Sequence, residues 1–254
     1  MPLRSDMIIL KSPEEIKLMR EAGRATAELC ALLKEKIKPG ITTLALDDIA
    51  VSFIKKRKAI AAFLGYRGYP KSICVSINEE VVHGIPGSRV LQEGDIVSID
   101  AGVVFDGFIG DMAFSAGVGT ITAEAQKLLN VTEQSLYQGI AQARPGNHLG
   151  DISHAVQEHA ESNGFSIVEQ YVGHGIGRQM HEDPQVPNYG PAGCGPLLKE
   201  GMTLAIEPMV NAGTYEVEVL DDEWTVVTKD RKLSAHFEHT IAITANGPEI
   251  LTKI

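Results

Sequence analysis

Cysteine is scarce in this chain, and the three present, Cys30, Cys74 and Cys194, are odd in number and far apart. That pattern excludes a disulfide framework and a thiolate-rich zinc site, and it fits a reducing, cytoplasmic compartment. No segment supplies the roughly 18 uninterrupted apolar residues of a membrane span. The opening MPLRSDMIIL has only a short apolar run and no small-residue cleavage site, so no secretion signal is expected. Positive charge is also in deficit. The net charge is -10 and the pI about 5.3, which argues against a broad electrostatic footprint for DNA or an anionic membrane. The one basic run, Lys55, Lys56, Arg57 and Lys58, reads as a solvated helix end. Several catalytic templates are missing too. There is no HExxH, because His181-Glu182-Asp183-Pro184-Gln185 lacks the second His, and there is no GxSxG or Walker loop. GHGIGR lacks the third glycine of a dinucleotide fingerprint.

What the chain has is apolar content, 44% of 254 residues, enough for one large core or two fused halves. It also has an unusual hairpin. The arms Asp95 to Val104 and Phe108 to Ser115 are rich in Val, Ile and Phe and flank Asp106-Gly107, a strong two-residue turn signal. With those two residues in the loop, Phe105 opposes Phe108, Asp100 opposes Ala113, and Asp111 lies diagonal to Asp100 on the same face. Such diagonal neighbours are roughly 7–8 Å apart. Two carboxylates aimed the same way from apolar strands repel and lose solvation unless protons or cations compensate them. A pair of divalent cations is one reading; two strand-end acids reaching solvent is the other.

The surrounding chain repeats itself. Ser12-Pro13-Glu14-Glu15 carries the cap, first-turn proline and third-position glutamate of a helix start, and that helix runs to about Ile37 before Pro39-Gly40. A second helix, roughly Leu44 to Lys58, leads into FLGYRGYP and the strand-like SICVSI. After the hairpin, Thr122 opens another helix that ends at Arg144-Pro145-Gly146, a near copy of Lys38-Pro39-Gly40 displaced by 106 positions, and a further helix spans about Asp151 to Ser162. Glu93-Gly94 with Val97, Ile99 and Asp100 is echoed by Glu200-Gly201 with Leu204, Ile206 and Glu207, displaced by 107. Two displacements in register predict duplicated halves, roughly 12–115 and 122–245, within a single domain over 1–254. Facing halves would bring their carboxylates together at the shared sheet.

In the second half, a strand around His236 to Thr244 carries Glu238, with Phe237, Ile241 and Ile243 on its other face by alternation. Asp100, Asp111, Glu207 and Glu238 are then candidates to flank two cations about 3.5–4 Å apart. Gly173-His174-Gly175-Ile176-Gly177 offers an imidazole between residues that let the backbone bend. Carboxylates with one His suit Mn(II), Fe(II) or Co(II), and Zn(II) also fits. Paired ions of this kind make water nucleophilic and polarise a carbonyl, which is the chemistry of hydrolysis.

The segments GHGIGRQMHEDPQVPNYG, EGMTLAIEPM, DDEWTVVTKDRKLSAHFEHT, KSICVSINEEVVHGIP and EGDIVSID together resemble the type I methionine aminopeptidases, over nearly the whole chain. The resemblance implies the pita-bread fold, an α/β (α+β) architecture of two pseudo-symmetric halves with a central curved antiparallel sheet and helices outside. It implies removal of the N-terminal methionine before a small second residue, with two divalent metal ions as cofactors. By the same resemblance Asp100, Asp111, His174, Glu207 and Glu238 are the metal ligands, Asp111 and Glu238 bridging, Asp100 on one ion, His174 and Glu207 on the other. Glu207 would also take a proton from the attacking water, His181 would hydrogen-bond the scissile carbonyl, and His83 would contact the substrate backbone and assist proton movement. Phe63, Tyr66, Tyr69, Cys74 and Trp224 match the methionine pocket. Phe63, Val82 and Met180 depart from commoner family residues and bear on pocket shape. His148, His154, His159, His236 and His239 are left structural or exposed.

Glu207 and Glu238 are only 31 positions apart, without the long insertion of type II members, and no zinc-finger or linker extension is expected. The chain opens Met1-Pro2 and could be its own substrate. The implied partners are the N-termini of nascent polypeptides, with the ribosome as a further candidate and a monomer as the default state; DNA and membrane are not expected. Two competing readings share the fold: an Xaa-Pro peptidase, which usually carries an extra N-terminal domain, and a metal-free binding protein, which would have lost ligands.

Overall fold

The structure, a computed structural model, describes residues 8–254; the expectations about Met1-Pro2 and the rest of residues 1–7 lie outside the described residues. Helix α1 (Pro13–Lys36) begins as the sequence predicts. The Ser12 hydroxyl accepts from Glu15 N at 3.2 Å, and the Glu15 carboxylate accepts from Ser12 N at 3.0 Å. Helix α2 (Thr43–Lys56) is capped by Thr42 and stops short of Lys58, which has φ 54°. Lys55, Lys56, Arg57 and Lys58 are exposed there, with Arg57 paired to Glu28 of α1. Helix α3 (Ala123–Gln142) is capped by Thr122. Helix α4 (Leu149–Ser162) starts two residues before the predicted Asp151, because Asp151 closes the cap from the third position by accepting His148 N at 2.7 Å.

The first half contributes β1 (Ile60–Ala61), β2 (Ile73–Ile77), β3 (Glu80–Val82), β4 (Ile96–Phe105) and β5 (Phe108–Gly117). The second contributes β6 (Ser166–Ile167), β7 (Gly173–Gly175), β8 (Glu182–Val186), β9 (Thr203–Ile206), β10 (Met209–Asn211), β11 (Val217–Val219), β12 (Val226–Thr228), β13 (Ser234–His236), β14 (His239–Thr244) and β15 (Gly247–Ile250). Every ladder among the described residues is antiparallel. The two principal sheets are β1-β4-β2, with β5 on β4, and β15-β14-β9-β7-β8. In the hairpin, Phe105 pairs with Phe108 and Asp100 with Ala113, the register predicted from Asp106-Gly107.

Helix α1 packs on the outer side of that hairpin at a contact between glycines. A Cβ on Gly110 would lie 2.6 Å from the Gly23 backbone, and the Thr26 hydroxyl donates to Gly110 O at 2.9 Å. The strand pair that carries Asp100 and Asp111 is therefore pressed tightly from behind.

The expected continuous strand from His236 to Thr244 is broken at Phe237-Glu238, and Glu207 likewise falls in a gap between β9 and β10. Pro208 is the physical reason: it has no N–H to give to a ladder. The register nevertheless continues across the gap, since His239 faces Ile206 on one side and Met209 faces His236 on the other. Glu207 thus stands opposite Glu238, whereas Asp111 is diagonal to Asp100. Freed from its own ladder, Glu238 N donates to Ala113 O at 2.9 Å, across to the first half. Two hydroxyls complete this seam. Thr240 Oγ1 accepts from Asp111 N at 3.0 Å and donates to Asp111 O at 2.8 Å; Ser115 Oγ accepts from His236 N at 2.9 Å and donates to His236 O at 2.8 Å.

Candidate active site and metal centre

All twelve residues singled out for the site line one cavity of about 240 Å³ between the two halves. Asp100 comes from β4 and Asp111 from β5. Asp111 faces Gly102 across the hairpin, and Gly102 is bare for a packing reason: a Cβ there would lie 2.9 Å from both Ala62 Cβ and Phe63 Cε1 and 3.1 Å from Met180 Cε. Phe63 and Met180, two of the departures noted in the sequence, thus press on the floor of the site beside its acids. Glu207 and Glu238 come from the paired gaps, and His174 from β7, where the ladder to β8 shifts register between His174 and Gly175.

The geometry suits a cation. Asp111, His174 and Glu238 each bring one ligand atom into a group lying within 4.8 Å of one another. His174 Nε2 is 3.5 Å from Glu207 Oε1 and 3.9 Å from Asp111 Oδ2, while its Nδ1 lies 2.9 Å from Gly175 O. An Nδ1–H donated to that carbonyl leaves the Nε2 lone pair facing the acids, the tautomer a metal-ligating histidine needs. Among the described residues, Asp100 Oδ1, Asp111 Oδ1 and Glu238 Oε1 are buried without a hydrogen-bond partner. Three orphaned carboxylate oxygens in one cavity are anomalous for protein alone and fit a divalent cation centre.

Electrostatics give the same answer. Burial, reinforced by the neighbouring acids, pushes the Asp100, Glu207 and Glu238 carboxyls well above the usual range, and burial also raises Asp111. Burial, helped by the His181 imidazole, lowers His174 to about 4 and His83 to about 4, so both are neutral near pH 7. Bound cations would reverse the effect on the carboxyls by favouring their ionised form.

His181 stands beside the cluster, its ring centroid 4.3 Å from that of His174. Its Nδ1 is 2.8 Å from the Tyr66 hydroxyl. Tyr66, expected as a pocket wall, thus also orients a catalytic candidate. Burial and the nearby Arg67 lower the pKa of His181. His83 sits in the left-handed region at φ 62°, edge-on to Tyr171 and Trp224. Tyr69 packs edge-on against Trp224 at 5.0 Å, with Cys74 buried beside the same wall.

His236, read from sequence as structural or exposed, lies in this cavity: it is buried, its Nε2 is 3.7 Å from Glu207 Oε2, and that nitrogen has no hydrogen-bond partner. The signal was present, since His236 precedes Glu238 by two residues and so shares its face by strand alternation. Tyr171, Met209 and Arg67 also line the cavity, and no local pattern in the sequence singled them out. His239 is held by Thr252 and Tyr137 away from the cavity, and His148 caps α4, in keeping with structural roles.

The sequence model of metallopeptidase family M24 matches residues 17–245. Methionine aminopeptidase 1 of Bacillus subtilis is 58% identical over 98% of this chain and all of that protein, and the Escherichia coli methionine aminopeptidase is 49% identical over 96% and 94%. The crystal structure of methionine aminopeptidase from Rickettsia prowazekii superposes with a TM-score of 0.96 at 45% identity, covering 97% of this chain and 100% of that one. Prolidase from Pyrococcus furiosus shares the fold at a TM-score of 0.78 and 21% identity, but this chain covers only 66% of it. With this cation-shaped cluster, an end-to-end match to these enzymes and the same fold as their crystal structures, the chain belongs to metallopeptidase family M24, among its methionine aminopeptidases.

Proposed function

We propose that this chain hydrolyses the first peptide bond of polypeptides that begin with methionine followed by a small residue, acting as one catalytic unit built from halves at roughly 12–115 and 122–245. The observation that carries the reading is the convergence of unpartnered, buried carboxylate oxygens on a cavity walled by Phe63, Tyr69, Cys74 and Trp224. The acids suit cations, and the wall suits an unbranched thioether against aromatic edges.

Asp100, Asp111, His174, Glu207 and Glu238 would hold two divalent ions. Such ions supply Lewis acidity, which makes water nucleophilic near neutral pH and polarises the scissile carbonyl. The remaining work falls to side chains. Glu207, opposite Glu238 and open to the cavity, accepts the proton of the attacking water and returns it to the leaving amine. With the Tyr66 hydroxyl as donor to His181 Nδ1, the ring proton sits on Nε2 and that N–H is free to donate to the oxyanion as it forms. Its lowered pKa keeps His181 neutral, so it stabilises the oxyanion as a hydrogen-bond donor rather than by titrating. His83, also neutral, contacts the substrate backbone, and His236 flanks Glu207 from the side away from His174.

The test is methionine release from Met-Gly-Met by chelator-stripped protein before and after addition of Co(II), Mn(II), Fe(II) or Zn(II), with an Ala-Pro peptide alongside. Restored cleavage of the methionyl peptide alone is the expected outcome and ranks the ions. Cleavage of the Pro peptide alone would move the chain to the Xaa-Pro peptidases, and no cleavage with any ion would favour a binding protein.

A further inference from the structure

We propose that the buried ion pair between Lys11 and Glu182 holds His181 in place beside the cation cluster, which makes Lys11 a positioning residue of the catalytic site; the inference rests on the role given to His181 above. His181 lies on the turn that joins β7 to β8, and nothing in its own sequence obliges that turn to be rigid. Glu182 ties it down. One carboxylate oxygen of Glu182 accepts from Arg178 N at 2.9 Å and from Gln179 N at 3.2 Å, tying down the turn backbone ahead of His181. The other oxygen pairs with Lys11 Nζ, and the two side chains are only 4% and 5% exposed.

Both ends of the pair are anchored to strands of the site. Lys11 N donates to Gly201 O at 2.7 Å, just ahead of β9, which leads into Glu207. Glu182 pairs with Gly175 on β7, next to His174. Gly177 O accepts from Ile109 N at 2.9 Å, linking the turn to the strand that carries Asp111. The pair also accounts for a glycine that cation binding leaves unexplained. A Cβ on Gly177, the last glycine of GHGIG, would lie 2.5 Å from Lys11 Cε and 2.6 Å from Glu182 Oε1. The glycine is bare so that the pair can pass.

Neither Lys11 nor Glu182 lines the cavity, so their influence on it passes through the turn. Two apolar side chains would fill the same space with less desolvation. They could not accept the two turn amides, and that directional bonding is what a positioned imidazole requires.

The experiment is a double-mutant cycle on the full chain loaded with its activating cation: Lys11→Met and His181→Ala, singly and together, with Lys11→Arg as the rescue. Lys11→Met is expected to lower kcat about 10- to 100-fold, the scale of a misplaced catalytic group. KM and bound-cation stoichiometry stay unchanged, and Lys11→Arg restores most of the rate. In the His181→Ala background, Lys11→Met should cost nothing further, because its effect passes through His181. An equal loss in both backgrounds, or an unchanged kcat, would overturn the proposal. Normal kcat in His181→Ala alone would instead overturn the role of His181 itself. Should Lys11→Met fail to fold, Glu182→Gln keeps an acceptor for the turn amides while removing the charge, and the same criteria apply.

Discussion

The phenol of Tyr66 and the carboxylate of Glu238 show how single side chains divide the labour of this site. Tyr66 orients the His181 ring. Tyr66→Phe would leave His181 Nδ1 unpaired and the ring less firmly oriented, at a cost near that of one hydrogen bond, about 0.5–1.5 kcal/mol. Steady-state kinetics should therefore show kcat down roughly 3- to 10-fold with KM and bound cation unchanged; an unchanged kcat would remove Tyr66 from the machinery. Glu238 holds charge. Its backbone N–H, not its side chain, makes the contact to Ala113, so Glu238→Ala should keep the fold and abolish turnover with loss of bound cation. Because the substitution deletes a buried acid among like charges, the metal-free variant should melt above metal-free wild type, a stability cost that the active site imposes on the native chain. Near-normal turnover in Glu238→Ala would sink the cation site.

Among the elements, the hairpin was legible and the seam was not. Asp106-Gly107 set the turn, the turn set the register, and the register put Asp100 and Asp111 on one face, all from local sequence. The interruption at Glu207-Pro208 could be foreseen only at Pro208; that Phe237-Glu238 would break in step with it depended on the partner strand. Thr240 carries no catalytic signature, yet both polar groups of the Asp111 backbone bond to its hydroxyl. Thr240→Val, nearly isosteric, would leave those buried groups unpaired at about 1–3 kcal/mol. We expect a lower melting temperature together with weaker cation binding, and recovery of both in Thr240→Ser. A Thr240→Val protein that melts normally would mean that the seam is held elsewhere.

For the whole molecule, stability and function are linked through protons. The cavity carboxyls have folded-state pKa values above their unfolded ones, so the metal-free folded chain holds protons that the unfolded chain releases. Stability contributed in this way is complete below the unfolded carboxyl range and is lost as pH rises toward the folded pKa values, with a slope of up to about 1.4 kcal/mol per pH unit for each group. His83, His174 and His236 act in the opposite sense, but only below their unfolded value of 6.5. Between pH 6.5 and about 7, the folded value of Asp111, the acids therefore dominate. Thermal melts of chelated protein should fall over that range, whereas melts of the cation-loaded protein should not, because bound cations hold the acids ionised in the folded state. Parallel curves would contradict the electrostatic account. No helix among the described residues is long and apolar enough to cross a membrane.

The sequence by itself determined the helix caps, the hairpin register, the alternation that sends Phe237, Ile241 and Ile243 to the core, and the acids and histidines of the matched segments, because each depends on residues within a few positions or on a pattern written along the chain. Tertiary structure alone decided that Glu207 stands opposite Glu238, that His236 enters the cavity beside Glu207, that Tyr66 orients His181, and that Lys11 reaches Glu182. Those contacts join residues far apart in sequence, and no local periodicity encodes a distance that exists only once the tertiary fold has formed.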